Sequence, residues 1–321
     1  MKVRFWGVRG SYPVPGDATN KYGGNTSCVQ VCPGDGTVLI IDAGTGLRKL
    51  GQRLMGGSLG RGHGEAHLLV SHTHWDHIQG LPFFAPLYEP GNHVHIYGRQ
   101  REIHLKTIFC TQTDEPYFPV NLDEVSAKVS YVELMEGASF LLGKTNVTCS
   151  LLNHPGLAIG YRMEAGGRSV AYISDTAPFD KILHVEGTLS ELPTGPLAAE
   201  ESERLQEVRK GVVSLCRDAD LVIYDTMFTM DEYNERPHWG HSSFSHAVEL
   251  TSEAGAAALA LFHHAPDRTD DELDQILAQV QDTTTLQVFA AAEGTELVVT
   301  AEGTDLAPMA GFSGICSGET G

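Results

Sequence analysis

His72-Thr73-His74-Trp75-Asp76-His77 places three imidazoles and one carboxylate within six residues. The run before it, Ala66-His67-Leu68-Leu69-Val70-Ser71, is mostly apolar and reads as a buried strand. The run after it, Ile78-Gln79-Gly80-Leu81-Pro82, carries the Gly and Pro of a turn. The cluster therefore sits in a loop leaving a strand end. Alternate side chains of an extended segment share a face, so His72 and His74 can converge on one ion. Asp76 and His77, past the bend, can turn toward a second. Imidazole nitrogen with carboxylate oxygen suits zinc or another first-row divalent metal. A solvated polar loop is the plainer reading. It is disfavoured because four such groups beside a strand end are costly to keep unpaired.

His-x-His-x-Asp-His after an apolar strand resembles the signature of the metallo-β-lactamase fold superfamily. The motif is specific for the fold and much less so for the reaction, since one fold hosts many chemistries.

The chain of 321 residues is long enough for a sizeable core, and 41% hydrophobic with 20% charged residues is ordinary for a globular protein. No apolar stretch approaches a membrane span. Met1-Lys2-Val3-Arg4-Phe5-Trp6 enters a strand pattern directly and does not read as a signal peptide. Six scattered cysteines (Cys28, Cys32, Cys110, Cys149, Cys216, Cys316) then read as reduced thiols, and the expected location is cytoplasmic. The net charge is −19, with no basic run. A polynucleotide binder needs a basic surface, whereas a small anion needs only a local positive site such as a metal pair. The partners expected are a small anionic nucleotide substrate, no long nucleic acid and no membrane, with a homodimer left open.

Along the chain, residues 2–7 read as a strand, and 25–31 with 37–41 as a hairpin. Asp42-Ala43-Gly44-Thr45-Gly46 turns into a helix from Leu47 to about Met55, lacks the Gly-Lys-Ser/Thr ending of a nucleotide loop, and resembles the superfamily's Asp-x-Gly turn that supports the metal loop. A helix is expected over 101–110, and strands over 128–151 and 157–174. His93 and His95 alternate in a strand and read as a surface pair, because no carboxylate or third histidine accompanies them locally. Residues 184–206 are an acidic insertion, read as a flap leading into a helix that runs to about Cys216. Further helices are expected over 243–252 and 270–281, and strands over 221–224, 257–262, 286–290 and 295–299. Residues 1–301 are assigned to one domain and 302–321 to a mobile tail.

Three more positions end apolar runs with a potential ligand: His154 after Leu151-Leu152-Asn153, Asp175 after Ile173-Ser174, and the pair His263-His264 after Leu259-Ala260-Leu261-Phe262. In the superfamily the first resembles the isolated third ligand of metal one, and the second a carboxylate bridging two metals. By register, His263 resembles the second metal's ligand. Pro237-His238-Trp239-Gly240-His241-Ser242-Ser243 resembles the Gly-His-Ser-Ser/Thr element of the phosphodiesterase branch, which includes tRNA 3′-end-processing ribonucleases and cyclic-nucleotide phosphodiesterases. Ser242 or Ser243 would cap the following helix. Trp6-Gly7-Val8-Arg9-Gly10-Ser11, Tyr22-Gly23-Gly24-Asn25-Thr26-Ser27-Cys28 and the segment from His263 to Asp271 resemble one bacterial subfamily of that branch.

The resemblance implies an α/β (α+β) fold, a four-layer αββα sandwich with metals at one edge between the sheets. It implies two divalent ions, zinc first with manganese or iron as alternatives. His72, His74 and His154 would hold one ion, and Asp76, His77 and His263 the other, with Asp175 as the bridge. A water between the ions would attack as hydroxide. Asp76 and His241 are the catalytic candidates, and Asn25, Ser242 and His264 candidates for supporting or substrate contacts. The expected reaction is phosphodiester hydrolysis of a small nucleotide, foremost a 3′,5′-cyclic one. The alternatives are an RNA-processing nuclease, an ester, thioester or lactam hydrolase, and a non-enzymatic metal-bound sensor.

Overall fold

A computed structural model describes residues 1–181, 183, 197–300 and 303–307. In chain order the first half contains β1 (Lys2–Gly7), β2 (Cys28–Cys32), β3 (Val38–Ile41), α1 (Leu47–Leu54), β4 (Glu65–Leu69), the single turn α2 (Trp75–Ile78), β5 (His93–Arg99), α3 (Leu105–Gln112) and β6 (Lys128–Leu134). The second half contains β7 (Ser139–Leu142), β8 (Thr145–Leu151), β9 (Ile159–Ala165), β10 (Arg168–Ile173), α4 (Ala199–Cys216), β11 (Leu221–Asp225), α5 (Met230–Glu235), α6 (Phe244–Glu253), β12 (Ala258–Phe262), α7 (Asp270–Thr283), β13 (Gln287–Ala290), β14 (Glu296–Thr300) and β15 (Gly303–Ala307).

The strands form an eight-stranded sheet in the order β15-β14-β1-β2-β3-β4-β5-β6 and a seven-stranded sheet in the order β13-β12-β11-β10-β9-β8-β7. Strand alternation builds three apolar layers. In β3, Leu39 and Ile41 face the other sheet, where they meet Tyr161, Tyr172 and Phe262. Val38 and Ile40 face outward, under Leu47 and Leu50 of α1 and Phe109 of α3. On the second sheet, Val222 and Leu261 face outward under Val212 of α4, Phe244 of α6 and Val280 of α7. This is the four-layer αββα sandwich.

Several boundaries differ from expectation. The helix expected over 101–110 begins at Leu105, because Glu133 accepts a hydrogen bond from Leu105 N at 2.9 Å, satisfying a first-turn donor. Arg101 is instead held in the preceding loop, donating to Thr73 Oγ1 and Gly156 O. The tail expected from residue 302 begins too early. Gly303–Ala307 pairs antiparallel with β14, and Thr304 exchanges bonds with Gln287 of the other sheet. Gly-Thr-Asp-Leu-Ala has no β-type alternation, so that pairing is tertiary. Cys28, Cys110, Cys149 and Cys216 are free thiols, but Cys32 is disulfide-bonded, so the expectation of reduced thiols fails there. The flap expected over 184–206 falls largely outside the described residues; its helix, α4, does end at Cys216. Among the described residues no helix is long and apolar enough to cross a membrane.

Candidate metal centre

The site's side chains come from strand C-terminal ends. β3, β4 and β5 run parallel, as do β10, β11 and β12, so their ends are gathered at one edge of the sandwich. Ligands bind open α/β sheets at the carboxyl ends of the strands. β4 delivers His72 and His74, with Asp76 and His77 inside α2. β8 delivers His154, β10 delivers Asp175, β11 ends on Asp225, and β12 delivers His263.

Among the described residues three overlapping groups of donors form here, the third being Asp175, Asp225, His241 and His263, and the other two match the expected ligand sets. His72, His74, His154 and Asp175 each offer one atom within 4.8 Å of the others, and so do Asp76, His77, Asp175 and His263. His74 Nδ1 lies 3.0 Å from His72 Nε2 and 3.1 Å from His154 Nε2. Ligand atoms arranged tetrahedrally at zinc distances stand about 3.3 Å apart, so the spacing fits an ion. Asp175 belongs to both groups. Its Oδ1 lies 3.2 Å from His77 Nε2 and 3.2 Å from His263 Nε2, while its Oδ2 lies 3.6 Å from His72 Nε2 and 3.8 Å from His154 Nε2. One carboxylate oxygen thus faces each group. Asp76 Oδ2 lies 3.1 Å from His263 Nε2 and accepts from Ser11 N at 2.8 Å.

Supporting contacts orient these rings. His154 Nδ1 donates to Gly240 O at 2.8 Å, leaving Nε2 for an ion. Gly240 has φ +87°, and a Cβ there would stand 2.4 Å from His154 Nδ1, so only glycine fits. His77 Nδ1 donates to buried Asp42 at 2.7 Å, while its Nε2 is buried without a hydrogen-bond partner. A buried polar atom left so would cost energy unless an ion takes its lone pair.

Electrostatics separates the groups. Burial, with neighbouring imidazoles, pushes His72 well below the usual histidine range, and His154 down to about 3, so both are neutral donors. Burial opposes charge on Asp175 too, but His263, His77 and His72 hold it well below the usual carboxylate range. Burial also opposes protonation of His241, yet Asp225, whose Oδ2 accepts from His241 Nδ1 at 3.0 Å, raises it to about 9.

Sequence reasoning passed over Asp225. It is fully buried and also accepts from Thr176 N and Met227 N. Its signal, a carboxylate ending the apolar run Leu221-Val222-Ile223-Tyr224, is the one that singled out Asp175.

The three candidates for supporting or substrate contacts differ in their placement, and Ser242 has a supporting one, its N–H directed at Asp225 Oδ2. Asn25 is tied by its side chain and its N–H to Glu293. Ser242 is fully buried and donates to Thr176 O at 2.6 Å; the residue capping α6 is Ser243, which accepts from His246 N. His264 turns from the site, its Nε2 donating to Ala291 O at 2.9 Å. The cause is local: His263 has φ +59°, and the left-handed step sends consecutive side chains apart.

A cavity of about 430 Å³ adjoins the centre, lined by Tyr12, Phe228, Arg236, Trp239 and Arg268 among others. It reaches the site through Ser11, which holds Asp76, and Met227, which holds Asp225. Trp239 and Tyr12 are half exposed, and the Arg236 guanidinium lies 5.7 Å over the Trp239 ring.

The chain is similar to known proteins in sequence and in fold. Residues 37–191 match the β-lactamase superfamily domain. The ribonuclease Z of Haloarcula marismortui is 25% identical, with 92% of this chain and 96% of that protein covered. Among solved structures, the metallo-β-lactamase fold protein YhfI of Bacillus subtilis is similar with a TM-score of 0.62 and 20% identity, covering 92% of this chain and 97% of that one. Human tRNase Z, short form, is similar with a TM-score of 0.59 and 20% identity, covering 94% of this chain and all (100%) of that one.

Proposed function

We propose that this chain, a metal-dependent hydrolase of the metallo-β-lactamase fold whose residues 37–191 match the β-lactamase superfamily domain, cleaves phosphodiester bonds in RNA. The observation that carries the chemistry is Asp175 facing one donor group with each oxygen, beside the His241–Asp225 pair. His72, His74 and His154 would hold one divalent ion and Asp76, His77 and His263 a second, with Asp175 between them and zinc the first candidate for both. Such a pair lowers the pKa of a bound water toward neutrality and polarises phosphoryl oxygens.

The remaining work falls to the chain. Asp225 fixes the His241 ring and keeps it protonated, so its other nitrogen is a donor for a phosphate oxygen or for the departing alkoxide. Asp76, held by Ser11 N, is placed to orient the attacking water as well as to bind metal. Trp239, half exposed and two residues before His241, offers a ring face on which a base can stack.

Substrate size is the point at which the expectation shifts. The net charge of −19 argues against a polyanion in the mean field. Yet the relatives aligned over nearly the whole chain are named as ribonucleases, which favours RNA over the cyclic nucleotide. A phosphate chain needs only the local field of two ions and His241. The charge remains the one observation supporting a small-nucleotide substrate as a second reading.

One panel separates these. The metal-supplemented chain is assayed on a 3′-extended RNA, 3′,5′-cyclic nucleotides, a nitrophenyl phosphodiester, a thioester and a lactam. The proposal expects turnover confined to phosphodiesters, with kcat/KM higher for RNA than for cyclic nucleotides. The reverse ranking would select the second reading. Turnover of thioester or lactam alone would remove both.

A further inference from the structure

The inner face of the first sheet carries a second group of ligand-type side chains, at the end opposite the centre described above. Alternation places it. Ala66 and Leu68 of β4 and Val94 and Ile96 of β5 face the outer layer, so Glu65 and His67, and His93 and His95, face inward with Leu69 and Tyr97. The parallel register sets Glu65 beside His93 and His67 beside His95. The apolar part of this face is covered: Phe140 of β7 stacks on Tyr97 at 5.4 Å. Toward the strand starts that cover ends, and the three histidines are only partly buried.

The geometry is that of a chelate. One ligand atom each from Glu65, His93 and His95 lies within 4.8 Å of the others. The His93 and His95 rings have centroids 3.7 Å apart, and His67 stacks on His95 at 4.9 Å. His95 Nε2 donates to Glu65 Oε1 at 2.5 Å, His93 Nε2 is 2.7 Å from Ser130 Oγ, and His67 Nδ1 is 3.1 Å from Tyr97 OH. Two imidazoles two residues apart on a strand, with a carboxylate from the neighbouring strand, make an N,N,O donor set. It suits a first-row divalent ion completed by water, and not the all-oxygen demands of magnesium or calcium.

We propose that Glu65, His93 and His95, with His67 stacked behind them, form a separate divalent-metal site that clamps β4 to β5. It is independent of the hydrolytic centre, since roughly 20 Å of extended chain separates Glu65 from His72. Its structural effect would be to brace the strand that carries the His72 loop.

The test is zinc stoichiometry by equilibrium dialysis on the full chain, in the wild type and in Asp175→Ala, each with and without His93→Ala/His95→Ala. The site predicts one ion fewer whenever the two histidines are removed, in both backgrounds, with phosphodiester turnover retained where Asp175 is intact. It also predicts that zinc raises the Tm of Asp175→Ala and that this rise shrinks when the histidines are removed. Because two alanines could loosen the sheet, His95→Gln and Glu65→Gln are measured in parallel. Weakened zinc binding with an unchanged Tm in EDTA supports the site. Equal ion counts with and without the histidines, or a lower Tm in EDTA with unchanged zinc binding, would overturn it.

Discussion

Replacing Asp42 with asparagine should uncouple the second ion from the first. Asp42 is fully buried, with φ +59°. Its Oδ1 accepts from Ser71 N at 2.7 Å, and its Oδ2 from Ser71 Oγ at 2.8 Å, Tyr172 OH at 2.7 Å and His77 Nδ1 at 2.7 Å. In Asp42→Asn the amide oxygen can keep Ser71 N, but an NH2 group then faces three donors. The two hydroxyls can rotate and accept. His77 can accept only by moving its proton from Nδ1 to Nε2, the atom that faces Asp76 and Asp175. Binding an ion at Nε2 must reverse that shift and leave a buried donor clash, costing about 1–3 kcal/mol. The second ion should therefore bind about 10–100-fold more weakly, the range expected for losing an orienting partner. Exchanging four charge-assisted bonds for neutral ones should also lower stability by about 2–4 kcal/mol. Zinc competition against a chromophoric chelator reads the first quantity, and denaturant unfolding in EDTA the second. Tyr172→Phe is the control: it deletes one donor to Asp42 without touching His77, so it should cost about 1 kcal/mol and leave zinc affinity unchanged. An Asp42→Asn chain that bound both ions as tightly as wild type would refute the orienting role.

Asp175→Ala should lose at least one ion and nearly all turnover, because its two oxygens serve both groups; two bound ions with normal turnover would remove the binuclear reading. His263→Ala should empty the second position. His264→Ala should keep both ions while losing about 1–3 kcal/mol of stability, since Ala291 O is left without its donor; the opposite metal counts would reverse the assignment. His241→Ala should slow RNA cleavage by roughly 10²–10⁴-fold with metal content unchanged. The loss should be smaller on a nitrophenyl phosphodiester, whose leaving group needs no proton. Equal losses on both substrates would assign His241 to phosphate binding.

What the chain discloses before folding depends on whether a contact is local. The His72–His77 loop is legible because all its donors lie within one strand exit, and His154, Asp175 and His263 because each terminates an apolar run whose end must reach an edge. Asp225 obeys the same rule and was open to the same reasoning. The contacts of Asn25, Ser242 and His264 are not legible in that way. Ser242 and His264 each adjoin a site residue in sequence, but facing is decided by one backbone step, as the positive φ of His263 shows, and by which buried partner lies nearest. Ser242 serves Thr176, from a strand end 66 residues away. The pair His93 and His95 makes the case most fully. In sequence it lacks a carboxylate, because Glu65 lies in another strand. Only the register of β4 against β5 supplies Glu65 and His67 together. A parallel strand pair needs a long crossover, so its cross-strand partners are distant in sequence. Ligands at the end of one strand can therefore be read in advance, whereas ligands shared between two strands wait on the register.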